Sequence, residues 1–232
     1  MREIVFDTET TGLNPAAGDR MVEIGCVEIF NRMETGKHFH AYFNPDRPMP
    51  GEAEAVHGLT AIFLSDKPRF GEKVGELLEF IEDSPMVAHN ASFDFGFLNH
   101  ELQHCGFPPV CMSRMVDTLS LARTRHPGAK HSLDALCMRF GVDRSHRVKH
   151  GALLDAQLLA QVYVELTGGR QIGLGLVAEA GDVSVAAAAG PVTIREPRPA
   201  RPHHAAAEEL ERHRAFIARL ANPLWSRFAS IG

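Results

Sequence analysis

Four carboxylates and one histidine are the residues of this 232-residue chain whose types and spacing could do chemistry. Asp7 and Glu9 lie two apart in the opening run Glu3-Ile-Val-Phe-Asp-Thr-Glu9, whose β-branched and aromatic members predict a strand over residues 3–9. Side chains two apart on a strand share a face, about 6.6 Å apart along it. Two like charges on one face repel, and no Lys or Arg lies near in sequence, so a divalent cation is the simplest way to stabilise the pair. The plainer reading is a strand that turns its polar face to water.

Asp94 falls in the first turn of a helix whose candidate caps are Asn90 and Ser92. It could simply complement the helix dipole, but Phe97 and Leu98 follow at +3 and +4 and turn it toward the sheet. Asp155 is followed by Leu159, Val162 and Leu166 at +4, +7 and +11, so it sits on the apolar stripe of its own helix. An ionised acid is rarely buried without a partner. A salt bridge to Arg147 or Lys149 would be one such partner, and a metal another. His150 comes five residues earlier, about 140° around a continuous helix from Asp155. The two converge only if His150 lies on the loop leading in.

Four carboxylates from three elements make a hard-cation site, for which oxygen ligands favour magnesium or manganese over zinc. A neutral histidine beside it suits a general base for an attacking water. Two ions about 3.5–4 Å apart would clamp the attacking and leaving oxygens of an in-line phosphoryl displacement.

The elements that must hold these groups follow from periodicity. Alternation predicts a second strand over Met21–Phe30 and a third over His38–Phe43, joined by short turns as an antiparallel meander. Residues 44–60, rich in Pro and Gly, read as loop. Val74, Leu77, Leu78 and Ile81 predict a helix over 71–82. A short buried strand over 85–88 runs into the helix of Asp94, and 116–123 reads as strand into helix. Ser132 caps a further helix with Leu133, Leu136 and Phe140 inward and Gly141 as its stop. The last helix of this body runs from Gly151 to about Thr167. The fold class is α/β, a mixed sheet flanked by helices.

Beyond residue 170 the composition shifts to Ala, Gly, Pro and Arg, and residues 178–207 read as a flexible linker. A helical pattern returns from about Ala206 to Ala221. We therefore expect three segments: a body over 1–170, a linker over 171–207, and a helical tail over 208–232.

Bulk properties fit a globular chain, with 44% hydrophobic and 23% charged residues. A net charge of −5 disfavours gripping nucleic acid through a uniformly basic surface, unless bound cations supply the positive charge. The four cysteines form no Cys-x-x-Cys pair, and the first residues are a charged strand, not a signal peptide. A cytoplasmic location with reduced thiols is the expectation. No apolar run approaches the ~20 residues that span a bilayer.

Phe6-Asp7-Thr8-Glu9-Thr10-Thr11-Gly12, then His89-Asn90-Ala91-Ser92-Phe93-Asp94, then His150-Gly-Ala-Leu-Leu-Asp155 resemble, in order, the three exonuclease motifs of the DEDDh superfamily. With Val56-His57-Gly58-Leu59-Thr60 between them, they resemble the branch of epsilon proofreading subunits of bacterial DNA polymerase III. The resemblance covers residues 3–170 well and the tail weakly. It implies a ribonuclease H-like sheet and 3′→5′ removal of nucleoside monophosphates from single-stranded or mispaired DNA ends. It also implies two Mg²⁺ or Mn²⁺ ions: Asp7, Glu9 and Asp155 holding one, Asp7 bridging to the second, and Asp94 ligating or orienting through water. His150 would take the proton from the nucleophile. Thr10, Gly12, His57, Asn90 and Phe93 would line the terminal-nucleotide pocket.

Two partners follow from the same resemblance. Gln171, Leu174 and Leu176 resemble the short peptides that bind the bacterial sliding clamp, against a Gly-rich hinge as the plainer reading. Leu210, Ile217 and Leu220 form one apolar stripe, and Leu224, Trp225 and Phe228 follow it. They resemble the segment by which epsilon subunits bind the polymerase (alpha) subunit; folding back on the body is the alternative. Two other functions compete: a stand-alone exonuclease trimming RNA or single-stranded DNA ends, and a non-catalytic adaptor with a vestigial site. The first has no need of a linker and apolar tail, and the second no need of all five chemical residues.

Overall fold

In the computed structural model, strand β1 (Arg2–Thr10) is central to a five-stranded sheet. It pairs antiparallel with β2 (Met21–Phe30), which pairs antiparallel with β3 (Met33–Tyr42). On its other side β1 runs parallel to the short β4 (Met86–Ala88), and β4 parallel to β5 (Met115–Asp117). The order β3-β2-β1-β4-β5 is the expected mixed sheet, and the meander is as expected too. The described residues are 1–145, 149–169 and 205–220. The chain divides into two units, Met1–Leu176 and Val177–Gly232.

Both faces of the sheet are covered, which is why β1 reads as a nearly continuous apolar run before its acids. Ile4 and Phe6 pack with residues of α3 (Phe70–Ile81) and α4 (Ala91–His104), Phe6 meeting Phe95 edge-on at 5.6 Å. Val5, on the opposite face, packs with Val87 and with Ala156, Leu159 and Ala160 of α7 (Ala152–Leu166). Helices α5 (Thr118–Arg125) and α6 (Leu133–Phe140) extend this second layer through Ala122, Leu136 and Cys137, which meet Leu158 and Val162. Ser132 and Gly141 bound α6 as predicted.

Several boundaries differ from expectation. Strand β3 begins at Met33, not His38, because it pairs with β2 back to Phe30. Residues 33–38 are exposed, so no alternation marks them as strand. Residues 44–60 are not all loop: α1 (Gly51–His57) forms between Pro50 and a left-handed Gly58, with Glu52 and Glu54 in its first turn. Thr60 then caps α2 (Ala61–Leu64) through its side-chain oxygen. Both helices are too short to show a period. Of the two candidate caps, Asn90 holds the N-cap position of α4 but makes no side-chain cap hydrogen bond, and Ser92 lies inside the helix. Asn90 is left-handed (φ 65°), and Asp117 Oδ1 instead accepts from the amides of Asn90 (3.0 Å) and Ala91 (3.3 Å). The same carboxylate caps α5 through the amides of Leu119 and Ser120.

In the second unit, α8 spans Ala207–Ile217, shorter than the expected 206–221, and Leu210, Phe216 and Leu220 are exposed. All four cysteines are free. Among the described residues no helix is long and apolar enough to cross a membrane.

Gly25 sets how closely α7 approaches. It lies opposite Asp7 in the β1–β2 register, and a Cβ there would overlap the backbone of Ala152 and Leu153. Gly25→Ala must therefore push the first turn of α7 off the sheet. We expect a loss of about 1–3 kcal/mol in a denaturant melt, typical of an overpacked core, together with loss of catalysis. Undiminished stability would show that the helix can shift freely.

Candidate active site

The carboxyl end of β1 carries Asp7 and Glu9 on the face covered by α7. The side chain of Asp155, in the first turn of α7, is buried there. Its position on the apolar stripe is confirmed: Leu159, Val162 and Leu166 are buried with it. His150 lies on the loop before α7, its backbone amide 3.4 Å from the Val56 carbonyl. From there its Nδ1 comes within 3.1 Å of Asp155 Oδ2. Asp155 thus has the histidine as a partner; Lys149 instead extends along Gly58, and Arg147 lies outside the described residues. Among the described residues Glu9, His150 and Asp155 each bring one ligand atom within 4.8 Å of the others.

Asp94 arrives from the other layer. One turn into α4 it is buried, and its Oδ1 accepts from Thr8 Oγ1 at 2.7 Å. Burial pushes its carboxyl up to about 7, although the Thr8 hydroxyl works the other way. Asp7 is held well above the usual carboxylate range, first by burial and then by the charges of Asp94, Glu9, Asp155 and Glu23. Asp7 therefore feels the charges of all three other acids at the end of β1. That donor set fits hard divalent cations.

A cleft of about 400 Å³ adjoins these acids, lined by Thr8 to Leu13 of β1 and its turn, by α1, and by Phe93. Of the expected pocket residues it contains Thr10, Gly12, His57 and Phe93; Asn90 stands exposed at the start of α4 and is not in its lining. At Gly12 a Cβ would overlap the Asp19 carboxylate, so a larger residue there would have to displace that side chain. His57 is buried on α1, and burial lowers its pKa. Its Nδ1 accepts from the Leu59 amide at 3.0 Å, so the neutral ring carries its proton on Nε2. That Nε2 has no hydrogen-bond partner among the described residues, though the Thr10 backbone lies close enough to favour a proton there.

Leu210, Ile217 and Leu220 are described as parts of α8 or just beyond it. Gln171, Leu174, Leu176, Leu224, Trp225 and Phe228 lie outside the described residues. Three supporting residues escape a reading by motif: Thr8, which holds Asp94; Gly25, which admits α7; and Asp117, which holds the start of α4. Only the Asp-Thr that opens α5 carried a visible signal, a helix cap, and it gave no sign of reaching a second helix.

Residues 4–163 match the exonuclease (RNase_T) family. The chain is 46% identical to the DNA polymerase III subunit epsilon of Rickettsia prowazekii (strain Madrid E), over 95% of this chain and 97% of that one. The chain belongs to the exonuclease family, in its DNA polymerase III epsilon branch. The epsilon subunit of Escherichia coli (strain K12) is 47% identical over 73% of this chain and 72% of its own. Among solved structures, exonuclease X in complex with 5′-overhanging duplex DNA is 27% identical with a TM-score of 0.55, covering 71% of this chain and 90% of that one. Escherichia coli exonuclease I, solved with single-stranded DNA, has a TM-score of 0.62 at 18% identity, over 73% of this chain and 41% of its own, and shares the fold. Membership makes the chain a 3′→5′ exonuclease of the epsilon type.

The raised acids have a consequence for the metal-free protein. Their folded-state values lie above the unfolded ones, so the native state binds these protons more tightly. The associated stability is complete below the unfolded value of 3.8 and is lost as pH climbs through about 7 for Asp94. Asp94→Asn keeps an acceptor for Thr8 and removes the charge. In chelator at pH 8 it should be more stable than the parent by on the order of a few kcal/mol, and no more stable at pH 4. Urea melts at the two pH values test this; an equal gain at both would rule out charge as the cause.

Proposed function

We propose that the chain proofreads for a replicative polymerase, hydrolysing unpaired or mispaired 3′-terminal nucleotides from DNA to nucleoside 5′-monophosphates. The observation that carries this reading is the meeting of Asp7, Glu9, Asp94 and Asp155 with His150 at one end of β1, beside a cleft of nucleotide size.

Asp7, Glu9 and Asp155, with Asp94, would hold two Mg²⁺ or Mn²⁺ ions. When bound, these ions supply Lewis-acid stabilisation of charge on the attacking and leaving oxygens. An ionised Asp155 can only accept, so His150 Nδ1 donates to it and the ring presents Nε2 as a proton acceptor. With about half its side-chain surface exposed, His150 can take the proton of the attacking water at Nε2 and pass it to solvent. The water oxygen bonds to phosphorus as the bond to the penultimate 3′-oxygen breaks, and that leaving oxygen takes up a proton from solvent. Asp155 orients the ring and stabilises its positive charge after transfer. His57 Nε2–H, with Thr10, Gly12 and Phe93, would hold the terminal nucleotide in the cleft, and Asn90 would contribute from its rim.

Selection of errors needs no base reading by the protein. A stacked base step is worth about 1.4 kcal/mol, roughly a tenfold difference in fraying. A mispaired end therefore enters the cleft more often than a paired one.

Polymerase attachment through the tail, and clamp contact through Gln171, Leu174 and Leu176, are parts of the same proposal. The Rickettsia relative is similar over 95% of this chain, so its likeness continues past the exonuclease body. An eleven-residue helix is marginal in water alone, and its exposed Leu210 and Phe216 suit a partner surface. Trp225 would be the anchor, as tryptophans often are at interfaces.

Two experiments test the reading. Release of nucleotides from matched, mispaired and RNA 3′ ends should stop in chelator and should fall by several orders of magnitude in Asp7→Ala, Glu9→Ala or Asp155→Ala. His150→Ala should cost about 10²–10⁴-fold, the usual share of a general base. Full activity in excess chelator would overturn the metal assignment, and faster release from RNA than from mispaired DNA would overturn the substrate. Separately, truncation after Gly181 should leave hydrolysis of free single strands intact while co-purification with the polymerase subunit is lost. A truncated chain that still binds at full strength would show that the tether lies elsewhere.

A further inference from the structure

The net charge of −5 conceals a strong asymmetry. Residues 1–117 carry nineteen acids against nine Lys and Arg, a balance of −10. Residues 118–151 carry seven Lys and Arg against Asp134 and Asp143 alone, a balance of +5. This basic segment begins and ends at the acid cluster. At its start, Thr118 Oγ1 meets His89 Nδ1 at 2.9 Å, and the preceding Asp117 binds the amides that open the helix of Asp94. At its end, His150 meets Asp155.

Among the described residues of the segment the Lys and Arg side chains are exposed. Arg144 pairs with Asp134 at 2.9 Å. Arg123 and Lys130 are exposed and make no ion pair among the described residues. Arg123 lies close enough to His89 to disfavour a proton on that ring, and the backbone of His131 reaches the same histidine. The α5–α6 turn that carries Lys130 thus comes back to the edge where β4 ends. Lys149 stands on the other bank, against Gly58 beside His57. Buried acids elsewhere in the fold are given Arg partners, as Glu28 and Glu101 are, so exposed cations left without acids beside the candidate site suit counterions supplied by a ligand.

We propose that Arg123 and Lys130, on α5 and the α5–α6 turn, form a track for the phosphodiester backbone of the DNA strand whose 3′ end occupies the acid cluster. This rests on the exonuclease reading and adds where the rest of the strand runs. Each phosphate neutralised by a side chain releases condensed counterions, which makes the contact visible in the salt dependence.

The test compares the full chain with Arg123→Ala/Lys130→Ala and with the charge-reversed Arg123→Glu/Lys130→Glu. The first measurement is anisotropy of a labelled oligothymidylate in chelator over a salt series, which needs no hydrolysis. Losing two phosphate contacts from a single strand should make the slope of log K against log salt shallower by about 1.4. The charge-reversed form should bind more weakly still. The second measurement is hydrolysis of the p-nitrophenyl ester of thymidine 5′-monophosphate, which is too short to reach the track. Its turnover should be unchanged in both variants, while kcat/KM on the oligonucleotide falls. An unchanged binding slope, or equal loss on the ester and the oligonucleotide, would overturn the track. Failure of the parent chain to hydrolyse either substrate would instead overturn the exonuclease reading, with the binding slope still deciding the track.

Discussion

Repulsion among acids at the end of β1 is the constraint on which the rest of the molecule turns. Elsewhere the fold neutralises its buried acids. Glu101 accepts two 2.7 Å bonds from the Arg20 guanidinium and another from the Met21 amide. Glu28 is paired with Arg2 and hydrogen-bonded by Thr35, which hold its carboxyl below the usual range. Asp7 has no Lys or Arg ion pair among the described residues, and its neighbours push it the opposite way. Ordinary stability would place a cation or an apolar residue there. In the proposed reading the cost is tolerated because the unbalanced charge is what would recruit the metal.

That cost explains much of the surrounding architecture. Asp94 can approach because α4 begins in an unusual way, from a left-handed Asn90 whose amide is taken by Asp117. Asp155 can approach because Gly25 lets α7 lie against the sheet. The paired Glu101, two turns further along α4 than Asp94, anchors that helix to the start of β2. Strong, satisfied interactions thus hold the weak, repulsive ones in place, and preorganisation of this kind lets a site act without rearranging.

The five chemical residues were legible because each broke a local rule: acids on a strand face, an acid on an apolar helix stripe, a histidine just ahead of a helix. The mixed sheet and its antiparallel meander followed from strand alternation and from buried strands between helices, whereas the strand order did not. What stayed hidden was short or two-sided. Helix α1 has a single buried residue, and the first half of β3 is exposed on both faces, so neither carries a period. Gly25 looks like any glycine inside a strand until the helix above it is known. The charge of the whole chain likewise misled, because −5 averages an acidic body with a basic segment. The path of that segment is tertiary information, as is the double grip of Asp117 on two helix starts.

The parallel pairing of β1 with β4 and the arrival of α7 are also events in time. The β1–β2–β3 meander closes over short turns and can form while the ribosome is still adding residues. At that stage Asp7 and Glu9 are already neighbours, but the helix bearing Asp155 and the loop bearing His150 have not been made. Both lie at the far end of the exonuclease body, and their contacts with β1 are the longest-range in the fold. A nascent or interrupted chain therefore carries acids without the histidine–aspartate pair. The candidate site is therefore assembled in full only once synthesis of the body is complete.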